Sequence, residues 1–578
     1  MFPSTVTILS FICLSIVIFM IPLLIANKFG TALETTLIII ILVYLFMSYE
    51  YMDAMMIFSL ATTTYANMGL FLNKDKHNMR HSLKRDLANV DHIEIDQERD
   101  VRRIIVDLLL TVAVSGGAIA FLLLAPPTYA VLKFLIGISL ITITTQMIAR
   151  IGNYATTSMY WIREGEEERL VIISAFESRD FPIHDLEQVT VESAPDILRL
   201  HPLFTFLSQT QDYTSAYQPV LRLEFPGENI FMTPTNIQTW QELFGQYLTD
   251  DQGEQALDVL PFWHPTHLKR LAWKGYFAIT VKGISAYTGL LLILVWLDVP
   301  SYMMIIFILC WWLFNLYISD RVLIQSTDAT EITEGDLYDR VRTLCERAQI
   351  PQLKLYLIDS PVHNGLATGM NIGRGTVMLT TATTQLSMKA IEAILAHEII
   401  HVKKRDILTN QIARMLFFFV IGISVYIFYD QFILLSKNLL VFIGLFYVLM
   451  LLFPIYLSFV AQFTEMRADY LGAKLLDGGQ EQMALGLNEL GKAQDKEQAK
   501  TVQYSMPDAK PLKKTSNVER DGWFFRVIEF QFQLHPPLYY RIYSLNSDNT
   551  WKETIYQWLK ARFTESFPDL FDRKSKYI

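Results

Sequence analysis

The stretch "AILAHEIIHVKKRD", residues 393–406, decides how the second half of the chain must fold. It is typical of a helix in which His397 and His401 lie one turn apart on the same face. Two imidazoles at that spacing can bind one metal ion, and the adjacent Glu398 can reach a water molecule there as a general base. Zinc takes four ligands and keeps one position for water at a catalytic site. Unless the stretch is only the solvated face of a surface helix, a third protein ligand must exist.

We predict the third ligand in "AQFTEMRADYLGAKLL", residues 461–476, where Glu465 and Asp469 again lie four residues apart. Glu465 is the better ligand because its side chain reaches further. Asp469 would then accept a hydrogen bond from the far nitrogen of a liganding histidine and fix its tautomer. The alternative, with Asp469 as the ligand, is the weaker one, and two such carboxylates taken alone would more often be an exposed acidic face.

Two apolar runs, 415–435 and 439–460, separate the two halves of this predicted site. Each is near the roughly 20 residues that a helix needs to cross a bilayer. Two crossings return the chain to the side from which it started, so His401 and Glu465 can meet. A single crossing would have made the site impossible.

The composition supports a membrane protein with polar parts, because hydrophobic residues make up 52% and charged residues only 19% of 578 residues. A formal net charge of -9 and the lack of a basic patch interleaved with aromatic residues argue against nucleic acid as a partner. The three cysteines form no C-x-x-C pair, which argues against a disulfide framework and a cysteine zinc site. With the two runs above, eight or nine spans are predicted, the others being 5–26, 33–49, 104–124, 128–149, 276–297, 302–319 and a polar-diluted candidate at 53–72.

The distribution of basic residues predicts which side the polar parts face. The turns "APPTY" at 125–129 and "DVPSY" at 298–302 hold no Lys or Arg, whereas the outer flanks of both hairpins and the loop 73–103 are rich in them. By the positive-inside rule, the large polar segments lie in the cytoplasm.

These patterns divide the chain into six segments. The polar insert at 150–270 contains "RLVIISAFE", "EQVTVES" and "PVLRLEFPG", which alternate like strands, followed by the amphipathic helix "NIQTWQELFGQYL". This order suggests a small pleckstrin-homology-like barrel, with another α+β accessory domain as the alternative. The segments are an N-terminal transmembrane region at 1–149, the insert at 150–270, a transmembrane hairpin at 271–324, a first peptidase part at 325–414, a second hairpin at 415–460 and a second peptidase part at 461–578.

Three stretches, "HEIIHVKKRD", "EMRADYLGA" and "HPPLYYRI" at 535–542, together resemble the HtpX-type and CAAX-prenyl-protease-type membrane zinc peptidases of family M48. The order of spans is more similar to the HtpX arrangement, and the resemblance covers roughly residues 275–545. It implies a cytoplasmic zincin-like (gluzincin) α+β domain in an α-helical polytopic membrane protein of the bacterial inner membrane. The N-terminal half lies outside it, and we predict that the polar segment 478–534 is a mobile lid or a disordered insert.

The resemblance also implies the roles of individual residues. One zinc ion per chain would be held by His397, His401 and Glu465, with Glu398 catalytic. His535 would stabilise the oxyanion of the tetrahedral intermediate, although "HPP" alone would favour a surface turn, and Arg541 would brace the site by charge pairing. The segment "NGLA", comprising Asn364, Gly365, Leu366 and Ala367, would be the edge strand that pairs with the substrate backbone, more loosely because of its glycine.

The function that we expect is zinc-dependent endoproteolysis of membrane or membrane-proximal proteins at the cytoplasmic face, with a role in protein quality control implied by the resemblance. A CAAX-type prenyl-protein peptidase is the alternative enzyme. The alternative from another class is a membrane scaffold or sensor with a relict zinc site. In either case the insert at 150–270 could bind a partner or lipid.

Overall fold

Apolar helices alternate with two polar α+β parts in the computed structural model of this protein. The described residues are 4–567 apart from 26–27, 72–73, 127–128, 165–166, 194, 201–209, 247–264, 278–289, 291–293, 295–296, 351–352, 370–374, 437–438, 507–515 and 548. They fall into two units, the first within 1–205, 210–309 and 500–510, the second within 310–499 and 511–578.

The first unit opens with helices. They are α1 (Thr5–Leu24), α2 (Lys28–Ser48), α3 (Tyr51–Phe71), α4 (Lys74–Leu87), α5 (Val101–Leu124) and α6 (Ala130–Thr156). The last two form an antiparallel hairpin, because hydrogen bonds join Ser115 to Thr144 and Asp107 to Arg150. The segment 73–103, which was predicted as a basic loop, contains the helix α4.

Two four-stranded sheets follow in the first unit. Their strands are β1 (His92–Glu94), β2 (Ser158–Glu164), β3 (Glu167–Ile173), β4 (Ser178–Pro182), β5 (Gln188–Glu192), β6 (Thr210–Asp212), β7 (Val220–Phe225) and β8 (Glu228–Met232). The sheet orders are β1-β2-β3-β4 and β5-β7-β8-β6. Three helices accompany them, α7 (Ile197–Leu200), α8 (Ile237–Gly245) and α9 (Pro265–Phe277). Helix α8 buries Phe244 against Trp161 of β2, with ring centroids 4.9 Å apart, which confirms the predicted series of strands closed by one helix.

The second unit carries the predicted metal-binding stretch. Its elements, of which α10 and α16 extend past its bounds, are α10 (Ser301–Ser326), β9 (Thr330–Ile332), α11 (Asp336–Ala348), β10 (Leu353–Ile358), β11 (Gly365–Thr368), β12 (Gly375–Thr380), α12 (Met388–Lys404), α13 (Asp406–Ile427), α14 (Tyr429–Ser436), α15 (Leu439–Ala473), α16 (Gly479–Ser505), α17 (Trp523–Gln531), α18 (Leu538–Leu545) and α19 (Trp551–Thr564). The sheet order is β11-β12-β10-β9, so β11 is an edge strand. Helix α12 packs on this sheet through buried apolar residues such as Ile394, Leu395 and Ile399.

Six helices in the described part of the chain are long and apolar enough to cross a membrane. They are 28–48, 101–124, 132–156, 302–326, 406–427 and 447–473. The predicted span 5–26 forms α1, with a shorter apolar stretch at 10–22, and the polar-diluted candidate 53–72 forms α3, which is not among the six. The predicted span 276–297 lies almost entirely outside the described residues.

The second hairpin differs from its predicted boundaries. Instead of one run at 415–435, α13 begins at Asp406 and ends at Ile427, and the short α14 follows it. Helix α15 continues for 35 residues, well past the predicted end of its span at 460. Glu465 and Asp469 therefore lie on the extension of a membrane helix, which fixes their position relative to the span.

Of the two alternatives predicted for 478–534, the disordered insert is wrong for its first half, and the mobile lid stays a prediction. Residues 479–505 form the 27-residue helix α16, and α17 occupies 523–531. Helix α16 is held in the second unit because Gly486 faces α12 so closely that a Cβ atom would lie 2.6 Å from Ala393 Cβ. Polar composition misled the prediction, although α16 buries Met483, Ala484 and Leu487 in the apolar core.

Candidate metal centre

Helix α12 presents the first three residues of the site. It begins after Ser387, whose hydroxyl accepts a hydrogen bond from Ala390 N and caps the helix. His397, Glu398 and His401 are all buried, each less than 10% exposed, at a turn that faces α15. Burying three ionisable groups together is costly unless they are paired or bind a cation.

Glu465 completes the cluster from α15. Its Oε2 atom lies 3.4 Å from His397 Nε2 and its Oε1 atom 3.3 Å from His401 Nε2. The two Nε2 atoms are 2.9 Å apart, and one ligand atom from each of the three residues lies within 4.8 Å of the others. The helices can approach this closely because Gly472 of α15 contacts α12, where a Cβ atom would lie 3.2 Å from the Ala396 backbone.

A separate aspartate orients each imidazole. His397 Nδ1 lies 2.8 Å from Asp469 Oδ1, and His401 Nδ1 lies 2.8 Å from Asp406 Oδ2. Each Nδ1–H can therefore donate to a carboxylate, which leaves both Nε2 lone pairs facing Glu465. Sequence reasoning anticipated Asp469 and missed Asp406, for which the only signal was an acidic residue five positions after His401.

The aspartates are themselves held by arginines. Arg541 of α18 binds Asp469 through two nitrogens, with Nε 2.8 Å from Oδ2 and Nη2 2.7 Å from Oδ1. Arg467 of α15 binds Asp406 in the same unit. Arg541 Nη1 also lies 3.5 Å from Glu465 Oε2, so its charge reaches the cluster directly.

The donor set fits a zinc ion. Two imidazoles with unprotonated Nε2 atoms and one carboxylate are the nitrogen and oxygen ligands that zinc binds at catalytic sites, with one position left for water. In the protein without metal, burial lowers the pKa of the His401 imidazole, but the hydrogen bonds with Asp406 and Glu465 outweigh it and raise that pKa well above its usual value. The pocket thus attracts positive charge, as a metal site must.

Glu398 points to the edge strand rather than to an arginine. Its Oε2 atom accepts a hydrogen bond from Ala367 N at 2.6 Å. Strand β11 pairs with β12 on its other side, from Gly365 opposite Leu379 to Thr368 opposite Thr376. The carboxylate therefore lies between the cluster and a strand edge that could pair with an extended peptide.

The remaining residues of "NGLA" are half-buried along β11 and just before it. Asn364 N is hydrogen-bonded to Thr380 and Thr383, and its carbonyl accepts from Thr380 N, so its backbone is fixed to β12. Leu366 packs with buried residues of β10 and β12.

His535 lies beside the third ligand. Its Nδ1 atom is 2.9 Å from Glu465 Oε2, while 67% of the side chain is exposed. The imidazole is thus exposed to solvent on one side and contacts the cluster through Glu465 on the other.

One contact near the strand was not anticipated. His363, directly before "NGLA", donates its backbone N–H to both carboxylate oxygens of Glu497 on α16, at 3.1 and 3.2 Å, and its imidazole contacts the same group. Gln494 Nε2 donates to the His363 carbonyl at 2.9 Å. Helix α16 thereby anchors the start of the edge strand.

Comparisons with known proteins identify two parts of the chain. Residues 331–548 match Peptidase family M48, and residues 158–248 match the family described as Bacterial PH domain, which confirms the pleckstrin-homology-like interpretation of the insert. A protein named "Protease HtpX homolog" from Pelotomaculum thermopropionicum is 40% identical over 105 residues, 18% of this chain and 37% of the relative. One of the same name from Campylobacter concisus is 33% identical over 144 residues, 23% of this chain and 50% of the relative. The chain thus spans half or less of the length of these relatives.

Proposed function

Because this chain is a multi-pass membrane protein that belongs to peptidase family M48 and is of the HtpX type, we propose that it is a zinc-dependent endopeptidase. Its substrates would be membrane or membrane-proximal proteins, cleaved at the cytoplasmic face. The observation that carries the proposal is the convergence of His397, His401 and Glu465, with Glu398 between them and an open strand edge.

The chemistry follows from the positions of the protein groups. Zinc held by the three ligands would supply a Lewis acid that polarises the scissile carbonyl and lowers the pKa of a water molecule. A substrate segment would pair with β11 and bring its carbonyl beside Glu398. Glu398 would take a proton from the attacking water and return it to the leaving amine. The Ala367 N–H holds the Glu398 carboxylate in place, at 2.6 Å, before the substrate arrives.

Other residues would support these steps. His535 would donate a hydrogen bond to the oxyanion from the exposed side of the site. Asp469 would keep His397 in the tautomer that ligates through Nε2, and Arg541 would fix Asp469 and offset part of the charge of Glu465.

The division of the chain into segments would hold the peptidase at the membrane. We assign 1–149 to the N-terminal membrane region, 150–270 to the accessory domain, 271–324 and 415–460 to two hairpins, and 325–414 with 461–578 to the peptidase. A position in the bacterial inner membrane and a role in membrane protein quality control fit this layout. The Bacterial PH domain part would bind a partner or lipid.

A non-proteolytic scaffold with a relict zinc site is the rival proposal. A purely structural zinc site is closed by four protein ligands and does not need a carboxylate such as Glu398 beside the metal. Here the metal-binding group consists of His397, His401 and Glu465. Glu398 is not part of that group, yet it is buried beside it. This arrangement favours the peptidase.

The substitution Glu398→Gln separates the two proposals. We expect the variant to retain fold and zinc but to lose cleavage of a model membrane substrate, because the amide cannot accept the proton. Glu392→Gln is the matched control, since Glu392 lies on the same helix and contacts Arg340 and Gln482 instead. Cleavage by the Glu398 variant at the rate of the parent would refute the proposal.

A further inference from the structure

Five large aromatic side chains are exposed together near the end of the second unit. They are Trp523, Phe524 and Phe525 at the start of α17, Phe563 at the end of α19 and Phe567 three residues after that end, each between 46% and 68% exposed. We call this group the aromatic patch. Contiguous exposed apolar surface of this kind marks an interaction site rather than ordinary protein surface.

The direction of α19 shows on which side of the second unit the patch lies. Near the start of α19, the Trp551 ring lies 5.4 Å from that of Tyr470, and further along, the Trp558 ring lies 5.4 Å from that of Phe459. At its end, Arg562 Nη2 lies 3.2 Å from the carbonyl of Ile455. Helix α19 therefore runs antiparallel to α15 and descends along it toward the membrane span.

The region of α15 that α19 reaches is the apolar one. Tyr447, Val448, Leu451 and Leu452 are all about half exposed, one to two turns before Ile455. In a helix that crosses a bilayer, such side chains face lipid. Phe563 and Phe567 follow Arg562 in the chain and thus continue in the same direction, toward this apolar region of α15.

Ion pairs hold the start of α17 next to the end of α19. Arg526 Nε lies 2.9 Å from Glu565 Oε2, and Arg520 Nη2 lies 2.7 Å from the same oxygen. Arg526 and Glu565 are almost fully buried, so this contact is a rigid one. Trp523, Phe524 and Phe525 are therefore fixed beside the end of α19.

We infer that the aromatic patch inserts into the interface between lipid headgroups and acyl chains, and that it seats the peptidase unit on the membrane. Trp and Phe side chains are favoured at this depth, where an apolar ring can leave water without crossing the bilayer. Helix α19 carries the patch toward the half-exposed apolar side of α15, so we assign the bilayer rather than a second protein as its occupant. The inference concerns seating only and holds whether or not the unit cleaves peptides.

A second feature of α19 agrees with a lipid surface. Tyr556 and Leu559 are also exposed and continue the patch along the helix at the spacing of one face, with Phe563 next. Its opposite face is buried against α15 through Trp558. The outer face is mixed, because Lys552, Glu553 and Lys560 are exposed beside these apolar residues, and such a face suits the boundary between headgroups and acyl chains.

Spin labels on the full-length protein in lipid nanodiscs test this inference. In a variant with Cys13, Cys310 and Cys345 changed to alanine, a label is introduced by Phe524→Cys or Phe563→Cys. Collision rates are measured with oxygen, which concentrates in lipid, and with a water-soluble nickel chelate. We expect collisions with oxygen to exceed those with nickel severalfold at both positions.

Leu485→Cys is the matched control. Leu485 is an equally exposed apolar residue of α16. Its neighbour Gly486 packs against Ala393, near the start of α12. This end of α12 is the one away from the membrane helix α13. We expect the nickel chelate to dominate there. Collision rates that are higher with the nickel chelate than with oxygen at 524 and 563 would overturn the inference. Low collision rates with both reagents would overturn it in favour of a protein partner. Phe567→Cys replaces either patch variant that fails to fold.

Discussion

At the two histidines, the hydrogen bond made by Nδ1 of each ring leaves its Nε2 atom free of a proton and able to bind a metal. His397 and His401 both direct Nδ1 to an aspartate, at 2.8 Å in each case. The spacing of Glu465 and Asp469 allowed one of these aspartates to be predicted from the sequence. Asp406 could not be, because Arg405 adopts a left-handed conformation with φ 55° that ends α12 and turns the chain back. Helical periodicity carries no information about such a turn.

The substitution Asp406→Ala tests the role of the unpredicted aspartate. Without it, His401 loses the group that fixes its tautomer, and we expect zinc affinity to fall by about 10- to 100-fold. The affinity is measured by competition with a chromogenic chelator in detergent. Asp430→Ala, at an exposed position of α14, is the control and should bind zinc as the parent does. Equal affinities for both variants would show that Asp406 has no part in zinc binding.

Among the elements, strand β11 shows why the strand proposed to pair with substrate begins with a glycine. The sequence led us to expect looser pairing at Gly365. The structure gives a steric reason instead, because a Cβ atom there would lie 2.8 Å from Ile394 Cγ2 and 3.1 Å from Leu379 Cδ2. The glycine lets α12 press directly on the strand, and this close approach brings Glu398 to Ala367.

The substitution Gly365→Ala should separate catalysis from zinc binding. The added methyl group would push β11 away from α12 and displace any substrate paired with it, so we expect kcat to fall by up to about 100-fold. Zinc content should stay at the value of the parent. Gly422→Ala, where an added Cβ atom meets nothing within 4 Å, is the control. Unchanged kcat in the Gly365 variant would argue against β11 as the substrate strand.

Helix α16 is the element that sequence reasoning misjudged. Its polar composition suggested a disordered insert, yet Glu497 and Gln494 anchor His363 directly before the edge strand. These are contacts between residues more than 130 positions apart, which no local pattern reveals. The helix therefore stabilises the site in the described structure.

We expect Glu497→Ala to loosen the start of β11 without affecting the metal. The His363 N–H would lose its acceptor, and hydrogen exchange should become faster across residues 363–368. Exchange is followed by mass spectrometry, with Glu481→Ala, at an exposed position at the start of α16, as the control. Exchange that is equally slow in both variants would mean that α16 does not hold the strand.

Over the whole molecule, the class of fold could be predicted because its signals are long or repeated. Apolar runs near 20 residues gave the membrane helices, and alternating strands with one closing helix gave the insert that matches Bacterial PH domain. Strand β1 at 92–94 was missed, although it pairs with β2 from Ile162 to Tyr160. A three-residue strand from a distant segment has too little pattern of its own to be seen.

The central claim is that the hairpin of α13 and α15 brings His401 and Glu465, which are 64 positions apart in the chain, to one metal ion. The most direct measurement is the zinc content of the purified full-length protein by elemental mass spectrometry, beside the Glu465→Ala variant. We predict one zinc per chain in the parent and almost none in the variant. A parent without stoichiometric zinc, or a folded variant that retains it in full, would contradict the claim.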